Sequence, residues 1–232
     1  LANLMPRVID FVNGLVGRFT GGLGAVNVST NLAIGGMTGS SLSDCAMVGT
    51  VLIPAMKRSG YTPAYSSCLT AVTSIMGPII PPSIPFVVYG SIFNVSIGEL
   101  FLAGVIPGIL IGVALLATNW AYARFHGIRG EPPVSAARIW ESFMIALPIL
   151  FAPVLILGGI FGGFFTPTEA AAIGALYALL LGVCVYRSLT WHDLIEALYR
   201  TAIASSVLFL IIAASSAYGW YLAHSGVGRL VI

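Results

Sequence analysis

Four stretches of this chain, residues 59–98, 100–123, 142–168 and 201–228, contain no Asp, Glu, Lys or Arg. Each reaches or exceeds the ~20 residues that carry an α-helix across ~30 Å of hydrocarbon. Charges bunched between such gaps belong to a chain built for lipid. The composition agrees: 58% of residues are hydrophobic, 8% are charged, and the mean hydropathy is +0.98, against the roughly 25% charge of soluble domains. The period-two alternation of a membrane β-barrel is absent. The fold class expected is therefore an all-α polytopic membrane protein. A net charge of +2 with no basic run excludes nucleic acid as a partner. The lipid bilayer is the partner that composition demands.

Basic residues orient the spans. Arg18 closes a short amphipathic stretch (1–18), an apolar segment runs from Phe19 to Met37, a polar cluster follows, and Cys45 to Met56 leads to Lys57 and Arg58. The second arm is too short to cross. With Arg18 and Lys57–Arg58 both cytoplasmic, residues 19–56 read as a re-entrant hairpin whose tip is Thr38 to Ser43. Residues 61–98 then cross with a break, and 100–123 return to a cytoplasmic loop, 124–141, holding Arg124, Arg129 and Arg138. Residues 142–160 go out, 165–186 come back, Arg187 and Arg200 flank an inner loop, and 201–232 go out again. On this trace only Arg229 lies clearly outside, the bias expected of cytoplasmic loops.

The tip, "MTGSSLSD" at 37–44, gathers hydroxyls where lipid would be. Gly39 breaks the helix; Ser41 reads as an N-cap, with Asp44 three residues on as a short version of the capping-box acid. One arm thus ends in free carbonyls and the next begins with free N–H groups, tolerated in a membrane only where protein or water covers them. An ordinary surface turn is the competing reading. In "MGPIIPPSIPFVVYG", 76–90, Pro78, Pro81, Pro82 and Pro85 remove backbone donors and disfavour helix before them. A crossing from Tyr61 must stop near Met76 and resume near Ile84; simple packing kinks are the alternative. Two interrupted apolar elements close in sequence mark a secondary-transporter binding site.

"FTPTEAAA", 165–172, offers Thr166 as N-cap, Pro167 at N1 and Glu169 at N3, a capping box, with a direct functional role for Glu169 as the other reading. His126, His192 and His224 fall near segment ends and far apart, unlike metal ligands or an intramembrane Ser–His pair. Cys45, Cys68 and Cys184 show neither metal nor redox spacing and read as small core residues. No enzyme chemistry and no cofactor is expected, and a metal only as a coupling ion.

"GGMTGSSLSD", "IPAMKRSGYTPAYSS", "GPIIPPSIPFVVYG" and "GGFFTPTEAAAIGALYALLLG" occur in that order. Together they resemble the large membrane (DctM-like) subunit of tripartite ATP-independent periplasmic (TRAP) transporters, over nearly the whole chain. The resemblance implies a sodium-coupled elevator-type carrier built on inverted repeats in the bacterial or archaeal cytoplasmic membrane. It implies a small membrane subunit and a periplasmic substrate-binding protein as partners, and organic acids such as C4-dicarboxylates or sialic acids as cargo. Carried onto these positions, it implies a sodium site from Thr38, Gly39, Ser40, Ser41, Gly77, Pro78, Pro81, Pro82 and Ser83. Substrate contacts would come from Ser41, Ser43 and Ser83, and residues 165–186 would be a transport-domain helix of the second repeat. The early scaffold helices, the second hairpin and the second ion site are expected outside these residues. Two other readings remain: a partner-independent sodium/anion symporter of the same superfamily, and a non-transporting membrane scaffold.

Overall fold

The computed structural model describes residues 5–187 and 189–225, which are helical with no strand among them. The position of Arg229, the first residues of the amphipathic arm and the end of the 201–232 span lie outside the described residues. Residues up to Leu181 form one compact unit and those from Gly182 another.

In the first unit, α1 (Met5–Val16) buries Met5, Val8, Ile9 and Val12, one stripe of a 3.6-residue period. It packs on α7 (Ala136–Phe161), with the Phe11 and Phe143 rings 5.3 Å apart. The hairpin arms are α2 (Gly22–Thr38) and α3 (Ser41–Arg58). Both pack against α4 (Pro63–Ser74). Irregular backbone at residues 75–83 separates α4 from α5 (Ile84–Phe93), and Pro81–Pro82 is cis. The long α6 (Ile97–Phe125) packs against α2 and α5, and α8 (Pro167–Leu180) packs against α7. In the second unit, after a π-helical turn begun at Leu181, α9 runs from Trp191 to His224.

Four helical segments, 97–125, 136–161, 167–185 and 191–221, are long and apolar enough to cross a membrane. The chain is thus an all-α, multi-pass membrane protein. Its outward faces are apolar, as lipid requires: Cys68 and Cys184 are exposed and Cys45 half-buried, rather than core residues. Two boundaries differ from the charge-gap reading. α7 starts at Ala136, capped by Ser135, and α9 starts at Trp191, ten residues before position 201. A capping box from Thr190 and Asp193 fixes that start. Arg200 therefore sits inside α9, paired with Glu196 at 2.5 Å, instead of bordering a loop. Charge gaps locate apolar stretches, whereas caps locate helix ends.

Polar side chains join α2 to α4. Asn27, Thr30, Asn31, Ser66, Thr70 and Thr73 are all fully buried. Asn27 Nδ2 donates to Thr70 Oγ1 at 2.7 Å, Asn31 Nδ2 to Thr73 Oγ1 at 2.9 Å, and Thr73 Oγ1 to Asn27 Oδ1 at 2.9 Å. At the foot of the hairpin, Asn119 Nδ2 donates to Gly21 O at 2.9 Å, and the Tyr61 hydroxyl donates to Asn119 Oδ1 at 3.3 Å. A buried group stripped of its partner costs about 1–3 kcal/mol, and interhelical bonds in membranes average ~0.6 kcal/mol. Asn27→Ala should lower the unfolding free energy by about 1–3 kcal/mol, measured by thermal unfolding in detergent. An unchanged transition would remove the network from the stability of the α2–α4 pair.

Candidate functional site

The site lies where the hairpin tip meets the break between α4 and α5. Gly39 ends α2 at φ +57°, a left-handed C-cap that an L side chain adopts poorly, and its N–H donates to Gly35 O. Ser40, rather than the expected Ser41, is the N-cap of α3, accepting from Ser43 N–H at 3.5 Å. The turn spans only Gly39 and Ser40, so the cap falls one residue earlier and Ser41 becomes the first helical residue.

Four glycines let the two elements touch. A Cβ on Gly35 would lie 2.9 Å from Gly77 Cα, and one on Gly36 would lie 2.5 Å from Pro81 O. A Cβ on Gly77 would strike Asp44 Oδ2, and one on Gly39 would lie 3.3 Å from Pro82 O. Thr38, Gly39, Ser40, Gly77, Pro81 and Pro82 thus come from two elements into one neighbourhood. Pro78 belongs to it through Ser83, whose hydroxyl donates to Pro78 O and accepts from Phe86 N–H at 3.4 Å. That hydroxyl is spoken for as the N-cap of α5.

Asp44 is the residue whose role the motif reading missed. It does not cap α3: its side chain is fully buried, and its Oδ1 accepts from the Thr38 hydroxyl at 2.6 Å. Its Oδ2 is buried with no hydrogen-bond partner, and no described basic residue pairs with it. The signal was present in the spacing. Asp44, Val48, Leu52 and Met56 recur every four residues and form the buried stripe of α3, so the acid stands in an apolar row.

Unpaired burial of a carboxylate is costly. Beside Asp44 stand Thr38, at the end of α2 whose last carbonyls no further helical turn satisfies, and Gly77 of the break, where Pro78, Pro81 and Pro82 have no N–H to donate. This donor set is all oxygen and carries one formal negative charge. It suits a hard cation, in the manner of half-helix C-termini and unwound backbone in carriers.

Beside the tip is a cavity of about 470 Å³ bordered by Thr38, Gly39, Pro82 and Ser83, and by α7 and α8 through residues such as Pro153 and Gly174. Ser41 and Ser43 do not line it; Ser43 is exposed on the outer side of the first turn of α3. The three residues suggested for substrate therefore do not converge on one described cavity. Thr166 and Glu169 form a reciprocal capping box at the start of α8, with Pro167 in its first turn. Glu169 is held at 2.8 Å from the Thr166 N–H and is exposed, and the cap accounts for its bonding.

The family described as the tripartite ATP-independent periplasmic transporter, DctM component, matches residues 2–231. The chain is 40% identical, over 99% of its length, to the sialic acid TRAP transporter large permease protein SiaM of Vibrio cholerae, of which it covers 54%. It is 36% identical over 94% of its length to the 2,3-diketo-L-gulonate TRAP transporter large permease protein YiaN of Escherichia coli, covering 52% of that protein. A third relative, the ectoine TRAP transporter large permease protein TeaC of Halomonas elongata, is 35% identical over 97% of the chain and covered to 53%. The chain spans about half the length of these curated relatives.

Proposed function

Because this chain belongs to the DctM-component family of tripartite ATP-independent periplasmic transporters, we propose that it carries one ion site of a sodium-coupled importer of small organic acids. Membership makes it a TRAP transporter membrane component and not an enzyme. Residues 19–56 form a re-entrant hairpin, residues 61–98 a broken crossing, and the two move as part of an elevator in the bacterial inner membrane. A small membrane subunit and a periplasmic binding protein complete the system. An acid as cargo is supported by two of the relatives, which are named for sialic acid and for 2,3-diketo-L-gulonate.

One observation carries the sodium reading: the buried, half-satisfied carboxylate of Asp44 at a junction of helix-end carbonyls. Asp44 and the tip carbonyls would hold the ion. Thr38 orients the carboxylate through its hydroxyl, and Gly35, Gly36 and Gly77 allow the backbones close enough to share it. A bound sodium ion would supply a positive charge beside the cavity at the tip. No Lys or Arg among the described residues lines that cavity. A substrate carboxylate would therefore rely on the N-terminus of α3, worth roughly half a charge, together with the ion.

Ion and substrate binding are then coupled, by about 1–3 kcal/mol and reciprocally. With the full-length protein reconstituted beside its small subunit and binding protein, substrate affinity should rise about 5- to 150-fold between sodium-free and saturating sodium. Lithium and potassium should substitute poorly. Uptake that follows a proton gradient alone, with no response to sodium, would overturn the reading.

A further inference from the structure

A second cavity, about 280 Å³, lies away from the tip, between the α1–α2 linker, the end of α6 and the α6–α7 connector. Arg18, Arg124 and Arg129 border it, one from each segment, with Thr20, Gly127 and Gly130 beside them and no Asp or Glu in its wall. None of the three arginines forms an ion pair among the described residues. Arg18 and Arg124 instead lie over the rings of Phe19 and Trp120, at 5.1 and 5.5 Å. A guanidinium over a ring spends no N–H donor on it and keeps them for a ligand. The positive-inside bias explains arginines on one side of a membrane. It does not explain why three of them, each exposed, border one concavity, where their summed potential attracts an anion.

The backbone makes this a formed pocket. Gly21 N–H donates to Ile128 O at 3.3 Å, Ile128 N–H to Ala123 O at 2.9 Å, and Glu131 N–H to Gly17 O at 2.8 Å. A Cβ on Gly130 would strike Arg18 O and Phe19 O, so the connector lies directly on the linker. Around the pocket Phe19, Trp120 and Phe125 are exposed, the last at 89%. Exposed aromatics beside arginines are the composition of a membrane–water interface. On α6, Leu110 and Val113 continue the exposed apolar surface away from the pocket.

We propose that this pocket binds the phosphate headgroup of an anionic glycerophospholipid, phosphatidylglycerol being the type, with its acyl chains along the exposed face of α6. Three arginines supply charge-assisted bonds to phosphate oxygens, and basic pockets between membrane helices are suited to such headgroups. The bound lipid would rivet the linker before the hairpin to the connector after α6.

The test uses the full-length protein with its small subunit, in neutral detergent, titrated with phosphatidylglycerol or phosphatidylcholine and read by native mass spectrometry. Phosphatidylglycerol should bind preferentially, and affinity should fall about fivefold for each arginine lost in Arg124→Gln/Arg129→Gln. Arg124→Lys/Arg129→Lys keeps the charge that orients the helices and should fall between. Arg58→Gln/Arg138→Gln removes the same charge elsewhere and should bind as the unaltered protein does. Equal loss in that control, or equal binding of phosphatidylcholine, would overturn the proposal. Displacement of the lipid by inorganic phosphate of equal affinity would assign the pocket to a free anion and overturn it as a lipid site. If the double Gln variant fails to insert, Arg129→Gln alone decides, and undiminished binding there would also sink it.

Discussion

Asp44→Asn should raise the sodium concentration needed for half-maximal uptake at least about tenfold, a loss of ~1.4 kcal/mol, while leaving the fold intact. Asparagine keeps the size of the side chain and an oxygen to accept from Thr38, whose bond to Asp44 Oδ1 is 2.6 Å. What it removes is the formal charge, and Asp44 is the one acidic residue between Asp10 and Glu99. Bonds involving an ionised partner are roughly twice as strong as neutral ones, so the effect on a cation exceeds that on the hairpin. The readout is the sodium dependence of uptake by the reconstituted full-length transporter, alongside its thermal unfolding. Unaltered sodium dependence in a folded Asp44→Asn protein would take this carboxylate out of the ion site.

Gly36→Ala should press on neighbouring backbone harder than any other single methyl group at the junction that leaves φ unstrained. The added Cβ would lie 2.5 Å from Pro81 O, a backbone atom in a segment with little freedom to retreat. Forcing such contacts costs about 1–3 kcal/mol. Separating the tip from the break should also reduce uptake by about tenfold or more, since a misplacement of ~1 Å spoils a preorganised site. Gly158→Ala is the internal control: nothing lies within 4 Å of a Cβ there, and alanine favours helix. Equal uptake by both variants would show that the approach of hairpin and break does not matter for transport.

Much of this architecture was legible in advance because lipid imposes simple rules. Charge-free stretches marked the apolar segments. The four prolines at 78, 81, 82 and 85 marked the break, and Thr166 with Glu169 marked the start of α8. Helix ends were less legible where charges sit inside helices: Asp193, Glu196 and Arg200 all belong to α9. Asp44 was misread because a local rule, acid three residues after a serine, was applied before the longer period of four that runs through Val48, Leu52 and Met56. Nor could the meeting of Gly35 with Gly77, or of Gly36 with Pro81, be read from a linear string. Those contacts depend on how α2 and α4 align, and that alignment is set by Asn27, Asn31, Thr70 and Thr73.

That alignment bears on how the proposed ion site would choose among cations. Gly35 follows Asn31 by one helical turn of α2, and Gly77 follows Thr73 by four residues, just past the end of α4, so the Asn31–Thr73 rung is the last side-chain bond before the place where the two backbones touch. The rung is fully buried and made of neutral groups, with no charge of its own to respond to an ion. On the proposed sodium reading, the gap between the tip carbonyls and the break would be set by this rung rather than by the occupant. A frame that does not expand to suit a larger ion, or shrink around a smaller one, discriminates by radius.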